Sequence, residues 1–163
     1  MFVRTAGARD LVAIRELLVE TWHATYDGIY GADRVTAITD EWHSQAALEA
    51  RLHRPSTEFI VADDGATLAG VAFAGASADG GQVTLHQLYV CPDRQGQGIG
   101  TMLLAEILDS YPDAKSIRLE VELDNAAAVA FYVARGFRQT GRTEHCGAAD
   151  SGIPALILER ALV

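Results

Sequence analysis

The sequence predicts an α/β (α+β) fold: a mixed, mostly antiparallel sheet with helices on both faces. Three observations carry this. Short β-branched and aromatic runs alternate with helical patterns along the chain, and three such runs succeed one another between residues 58 and 90 with only turn signals between them. A chain of 163 residues that is 49% hydrophobic and 21% charged suits one domain able to bury a full core. The expectation is therefore a single domain spanning residues 1–163.

Phe2 to Thr5 reads as a first strand, and Leu11, Ile14, Leu17, Leu18 and Trp22 mark one face of a helix that starts at Asp10. Tyr26 to Arg34 is rich in glycine and turn formers. From Glu41 to Leu52 a second helical pattern, Trp42, Ala46, Leu48 and Leu52, runs up to Pro55, so this region reads as a helical flap. Glu58 to Ala62 and Leu68 to Phe73 form a hairpin through Asp63-Asp64-Gly65. After the polar turn Ala78 to Gly81, Val83 to Val90 is a long strand with Thr84, His86, Leu88 and Val90 on one face, ended by Pro92. Gly100 to Leu108 is a helix expected to bury Met102, Leu103, Ile107 and Leu108. A strand, Ser116 to Val121, precedes an Ala-rich helix, Ala126 to Ala134, capped by Asp124 or Asn125 and ended by Gly136, with Phe137 packing back. Two strands close the chain, around Gln139 to His145 and Ile153 to Glu159.

Charge narrows the function. The net charge is -9, no run of Lys or Arg offsets it, and only Lys115 among 13 basic residues is lysine. Such a surface repels phosphate backbones and anionic lipid, so neither nucleic acid nor membrane is expected as a partner. The start of the chain lacks the layout of a signal peptide and no apolar run approaches the ~20 residues of a membrane span, which reads as a cytoplasmic protein. Cys91 and Cys146 fit neither a CxxC motif nor a disulfide framework and read as small core residues. The five histidines have no metal-ligand spacing, so no metal is expected.

The sharpest motif is Val90-Cys91-Pro92-Asp93-Arg94-Gln95-Gly96-Gln97-Gly98-Ile99-Gly100: a strand that stops, a glycine-rich turn and a helix that begins at once. Successive N–H groups in such a turn, with the positive end of the helix, form an anion site without a basic side chain, and a nucleotide-like diphosphate is the natural ligand. A dinucleotide-binding Rossmann site is excluded by spacing, since Thr101 stands where the last glycine of G-x-G-x-x-G belongs, and a P-loop by the absence of Gly-Lys-Ser/Thr.

These residues resemble the GNAT superfamily of acyl-CoA-dependent N-acetyltransferases. The family's pyrophosphate loop is matched by Gln95, Gly98 and Gly100 behind Leu88-Tyr89-Val90-Cys91-Pro92. Its second motif is matched by Asn125, Ala128, Tyr132, Gly136 and Phe137. The resemblance is close over residues 83 to 137. It implies acetyl-CoA as co-substrate and a sheet splayed between the strand ending at Val90 and the strand Ser116 to Val121. It also implies pantetheine amides bonded to the backbone of Leu88, Tyr89 and Val90, and pyrophosphate on the loop Gln95, Gly96, Gln97, Gly98, Ile99, Gly100 and Thr101. Asn125 would lie beside the pantetheine arm and Tyr132 near the thioester sulfur, as general acid. Gln95 stands where Arg is common and brings no charge.

Transfer to an amine also requires a group that accepts a proton. Glu120, Glu122 and His86 are the candidates. Glu120 stands five residues before Asn125, as in family members that modify α-amino groups, whereas alternation along the strand reads Glu122 as a solvated carboxylate. His86 titrates near neutrality but is read first as a core histidine. Cys91, without a neighbouring base in sequence, is a weak nucleophile candidate. The expected activity is transfer of acetyl to a primary amine, with specificity in residues 22 to 54 and after Phe137, and an acidic surface favours a cationic acceptor such as a polyamine, an amino-acid derivative or a peptide N-terminus. The rival is a silent acyl-CoA-binding module. The resemblance also allows a homodimer through the C-terminal strands.

Overall fold

The computed structural model describes residues 1–147 and 151–163. Its elements run β1 (Phe2–Thr5), α1 (Leu11–Tyr30), α2 (Ala32–Trp42), α3 (Gln45–His53), β2 (Thr57–Asp63), β3 (Leu68–Ala76), β4 (Gln82–Val90), α4 (Ile99–Ser110), β5 (Ser116–Glu122), α5 (Ala126–Val133), β6 (Arg138–Thr143) and β7 (Ala155–Ala161). The strands hydrogen-bond in the order β1-β2-β3-β4-β5-β7-β6. Two compact units are distinguished, Met1–Ala74 with Gln87–Ser110, and Gly75–His86 with Tyr111–Val163.

In the first unit the predicted face of α1 is buried: Leu11, Ile14, Leu17 and Leu18 pack with Leu48, Phe59, Val61, Val71 and Phe73. Farther along, Trp22 and Tyr26 join Val35 in a second cluster edged by Tyr30, Ile38, Trp42 and Tyr89. The region read as one turn and one helix is instead two further helices. α1 runs through Gly28 to Tyr30, and only Gly31, at φ +86°, breaks the chain before α2. Gly28 is tolerated because it lies on the exposed side with open space about it, while Tyr26 and Tyr30 stack at 5.6 Å on the buried side. Ser44 caps α3 by accepting from the Ala47 N–H at 3.1 Å. α4 buries Leu103, Leu104 and Ile107, but Met102 is 37% exposed, a correction to its expected core position.

In the second unit β5 pairs antiparallel with β7 along seven residues, from Ser116↔Ala161 to Glu122↔Ala155. β6 pairs antiparallel with β7, with an irregularity between Gln139 and Gly141. β4 and β5 are parallel, with a register from Gln82↔Ser116 to Leu85↔Leu119. Ile117, Leu119, Val121, Tyr132, Phe137, Ile153 and Leu158 form the buried interior of this unit.

Candidate active site

The glycine-rich turn lies in the first unit and is held from three sides. Cys91 N–H donates to the Ala69 carbonyl at 2.8 Å, closing β4 against β3. A single 3-10 turn, Pro92–Arg94, follows, and Arg94 Nη1 reaches the Asp64 carboxylate at 3.0 Å. The Gln95 side chain turns back and donates to the Val90 carbonyl at 3.2 Å. Gly96 and Gly98 then take φ of +79° and +83°, the left-handed region that side chains disfavour. A Cβ at either would meet nothing within 4 Å, so it is the backbone path and not crowding that requires glycine there. α4 starts at Ile99, and the Met102 N–H donates to the Gly98 carbonyl at 3.1 Å. The N–H groups at the start of a helix point outward with its positive end, which makes this turn a candidate anion cradle. Leu88, Tyr89 and Val90 end β4, and Gln95, Gly96, Gln97, Gly98, Ile99, Gly100 and Thr101 form the turn and the first residues of α4, all in the first unit; open space at the two left-handed glycines suits a pyrophosphate.

Packing beneath the turn is tight. A Cβ on Gly70 of β3 would lie 2.9 Å from Leu103 Cδ1, 3.0 Å from the Tyr89 carbonyl oxygen and 3.2 Å from Ile99 Cγ2. This glycine lets the first turns of α4 sit directly on β3, and its place in a strand interior was the available signal.

The second unit holds the acid–base candidates. Asn125 caps α5, its Oδ1 accepting from the Ala128 N–H at 3.2 Å. Tyr132 on α5 is buried, edge-on to Phe131 and Phe137 at 5.2 and 5.4 Å. Burial, then the Glu122 charge, holds its phenol well above the usual range, so it stays protonated at neutral pH. Among the described residues its hydroxyl forms no hydrogen bond. Glu120 is half-buried, and its carboxylate accepts from the Gly147 N–H at 3.0 Å.

Glu122 corrects the sequence reading. It is 6% exposed, not solvated, and accepts from the Cys146 thiol at 3.9 Å. The strand phase is kept, but Cys146, beyond β6, meets Glu122 at the end of β5, a long-range event that alternation does not report. Burial and the two neighbouring carboxylates push the Cys146 thiol well up, so it is inert. Cys91 is half-buried and its thiol is also raised by burial, which further disfavours it as a nucleophile. His86 is exposed on β4, not a core histidine.

Sequence reasoning overlooked a polar cluster in the first unit. Gln87, 8% exposed, occupies the buried phase of β4 shared with Val83 and Leu85, and it meets Arg51 and His43. A glutamine in an apolar phase was the available signal. Among the described residues no group of three or more His, Cys, Asp or Glu side chains is arranged to hold a metal, and no helix is long and apolar enough to cross a membrane.

A family model for the acetyltransferase (GNAT) family matches residues 11–137. The N-alpha-acetyltransferase RimI of Mycobacterium tuberculosis is 38% identical over 106 residues, 63% of this chain and 65% of the relative. The ribosomal protein bS18-alanine N-acetyltransferase of Escherichia coli is 35% identical over 80 residues, 47% of this chain and 54% of that one. The matched segments thus span less than two thirds of either relative. The crystal structure of the PaiA N-acetyltransferase of Thermoplasma acidophilum in complex with coenzyme A superposes with a TM-score of 0.85 at 25% identity, covering 98% of each chain.

Proposed function

The chain belongs to the acetyltransferase (GNAT) family, and from that premise we propose that residues 1–163 act as one domain that transfers acetyl from acetyl-CoA to a primary amine. The observation that carries the reading is the β4–turn–α4 cradle, whose left-handed Gly96 and Gly98 and leading α4 amides offer donors to an anion in a chain that is otherwise acidic. The solved relative with coenzyme A, similar along 98% of both chains, supports the same ligand here.

Acetyl-CoA supplies an acetyl thioester whose carbonyl carbon accepts an amine nitrogen and whose sulfur leaves as a thiolate. In this reading the turn from Gln95 to Thr101 holds the pyrophosphate. The main chain of Leu88 to Val90, to which the family resemblance assigns this role, binds the pantetheine amides. Asn125 lies beside the same arm. Tyr132 Oη donates a proton to the departing sulfur, for which its raised phenol, still protonated at neutral pH, suits it. Glu120 takes the proton that the amine loses, directly or through a water, with His86 as the alternative acceptor. The acidic surface favours a cationic acceptor, and the similarity to two protein N-terminal acetyltransferases supports a peptide α-amine over a polyamine.

The deciding experiment is thermal unfolding with acetyl-CoA, joined to free-CoA release over a panel of amines and mass detection of the product. Acetyl-CoA at a hundredfold excess over its dissociation constant should add about 2.7 kcal/mol, and NAD nothing. Gly98→Glu, which puts bulk and negative charge into the open space, should abolish the shift while circular dichroism stays native. No shift in the natural sequence overturns the reading; a shift without turnover on any amine leaves a silent acyl-CoA-binding module.

A further inference from the structure

Arg51 on α3 bridges the end of α2 to β4 inside the first unit. Its Nη1 donates to Gln87 Oε1 at 2.9 Å and its Nη2 to the Trp42 carbonyl at 2.7 Å, with His43 Nδ1 at 3.5 Å. The Gln87 amide nitrogen lies 3.4 Å from the same Nδ1. The Arg51 guanidinium and the Gln87 amide thus both meet the Nδ1 side of the His43 ring. Burial, reinforced by Arg51, pushes His43 down to about 3 and keeps the ring neutral. Among the described residues no carboxylate pairs with Arg51; its partners are neutral, and its guanidinium lies 5.8 Å over the Phe73 ring.

Stability alone does not explain this arrangement. A desolvated cation and a buried amide can often be replaced by apolar side chains at no loss, whereas a planar guanidinium with two short bonds fixes distances and directions. Here one bond ends on the last residue of α2 and the other on Gln87, the residue just before Leu88–Val90. Tyr89, two residues on and in the same strand phase, is in turn packed on Trp22 at 6.5 Å.

We propose that Arg51 is a positioning residue: its bond to Gln87 holds Leu88–Val90 in the conformation whose main chain binds the pantetheine arm, and it couples the α2–α3 junction to cofactor affinity. The role rests on the acetyltransferase reading above. Coupling is reciprocal, so cofactor binding must also steady the α2–α3 junction.

The test uses Gln87→Leu, which removes the acceptor and keeps the volume, Arg51→Met, which removes the donor, and Gln87→Glu, which restores an acceptor for Arg51. Amide hydrogen exchange at Leu88–Val90 is read in the unliganded full chain, and CoA affinity and steady-state kinetics are read beside it. Gln87→Leu and Arg51→Met should exchange faster at Leu88–Val90 and bind CoA about 5- to 10-fold more weakly, with kcat changed less than KM for acetyl-CoA. Gln87→Glu should recover most of both. If Gln87→Leu fails to fold, Arg51→Met carries the same comparison. Native exchange and native CoA affinity in a folded variant overturn the proposal, as does a Gln87→Glu variant no better than Gln87→Leu. If the natural sequence binds no CoA, the acetyltransferase reading falls and the positioning role with it, whereas normal CoA binding with unaltered variants removes the positioning role alone.

Discussion

Gly70 and Leu103 meet with no room for another carbon: a Cβ on the glycine would stand 2.9 Å from Leu103 Cδ1. Leu103 can swing its tip, but the Tyr89 carbonyl oxygen at 3.0 Å is backbone and cannot. Gly70→Ala should therefore cost about 1–3 kcal/mol, the usual cost of overpacking. Calorimetry should show Tm falling by about 2–4 °C per kcal/mol for a chain of this size. An unchanged Tm would mean that β3 and α4 part without penalty.

Tyr132→Phe keeps the ring that packs on Phe131 and Phe137 and removes only the hydroxyl. Turnover should fall by about 10²- to 10⁴-fold, the worth of a positioned acid. CoA affinity and Tm should hardly move, since the hydroxyl bonds to none of the described residues. Because the phenol is raised, Tyr132 should add no alkaline fall in rate up to pH 10. Native kcat in the variant would reduce Tyr132 to packing.

Rate as a function of pH should separate the proton acceptors. The acceptor ammonium must lose a proton before attack, so the rate rises with pH until base and amine are both deprotonated. Glu120→Gln should slow turnover and flatten the acid limb, and His86→Gln should change neither. The opposite pattern moves the role to His86, and an intact limb in both variants assigns the proton to solvent.

His43 makes the fold sensitive to acid. Its folded value, about 3, lies below the ordinary 6.5, so the unfolded chain takes up a proton that the native chain refuses. More protons in the unfolded state mean that stability rises with pH across this window. The contribution is whole above about 6.5 and drains as pH falls toward about 3, by about 1.4 kcal/mol per pH unit. Denaturant melts of the natural chain and His43→Gln between pH 4 and 7 should show the slope in the first and a shallower one in the second. Parallel slopes would mean that the ring is solvated and titrates normally.

The parts legible in the sequence are those written in consecutive residues. The turn after β4, the cap at Asn125 and the left-handed Gly136 at the end of α5 each follow from side-chain chemistry within a few positions. The division into α1 and α2 was hidden because Gly28 and Gly31 look alike in sequence. Only the packing of Tyr26, Tyr30 and Val35 on Trp22 decides that the first continues a helix and the second ends one. Met102 misled because Leu103 and Leu104 both face inward, turning the buried stripe of α4 away from it. The contact of Glu122 with Cys146, and those of Gln87 with Arg51 and His43, join residues 24 to 44 positions apart, beyond the reach of any local pattern.

The turn proposed to hold the pyrophosphate is spanned by a neutral glutamine, and the nearest cation in sequence, Arg94, is bound to Asp64. A cofactor carrying several phosphates must therefore approach a chain of net charge -9 with no basic side chain in Gln95–Thr101 to draw it in. At long range the encounter is repulsive, and dissolved ions weaken repulsion between exposed charges over about 8–10 Å. Arrival of acetyl-CoA in stopped flow should accordingly quicken as ionic strength rises. That is the reverse of the behaviour of a site lined with lysine or arginine, and a rate that falls with salt would point to a cation entering the turn.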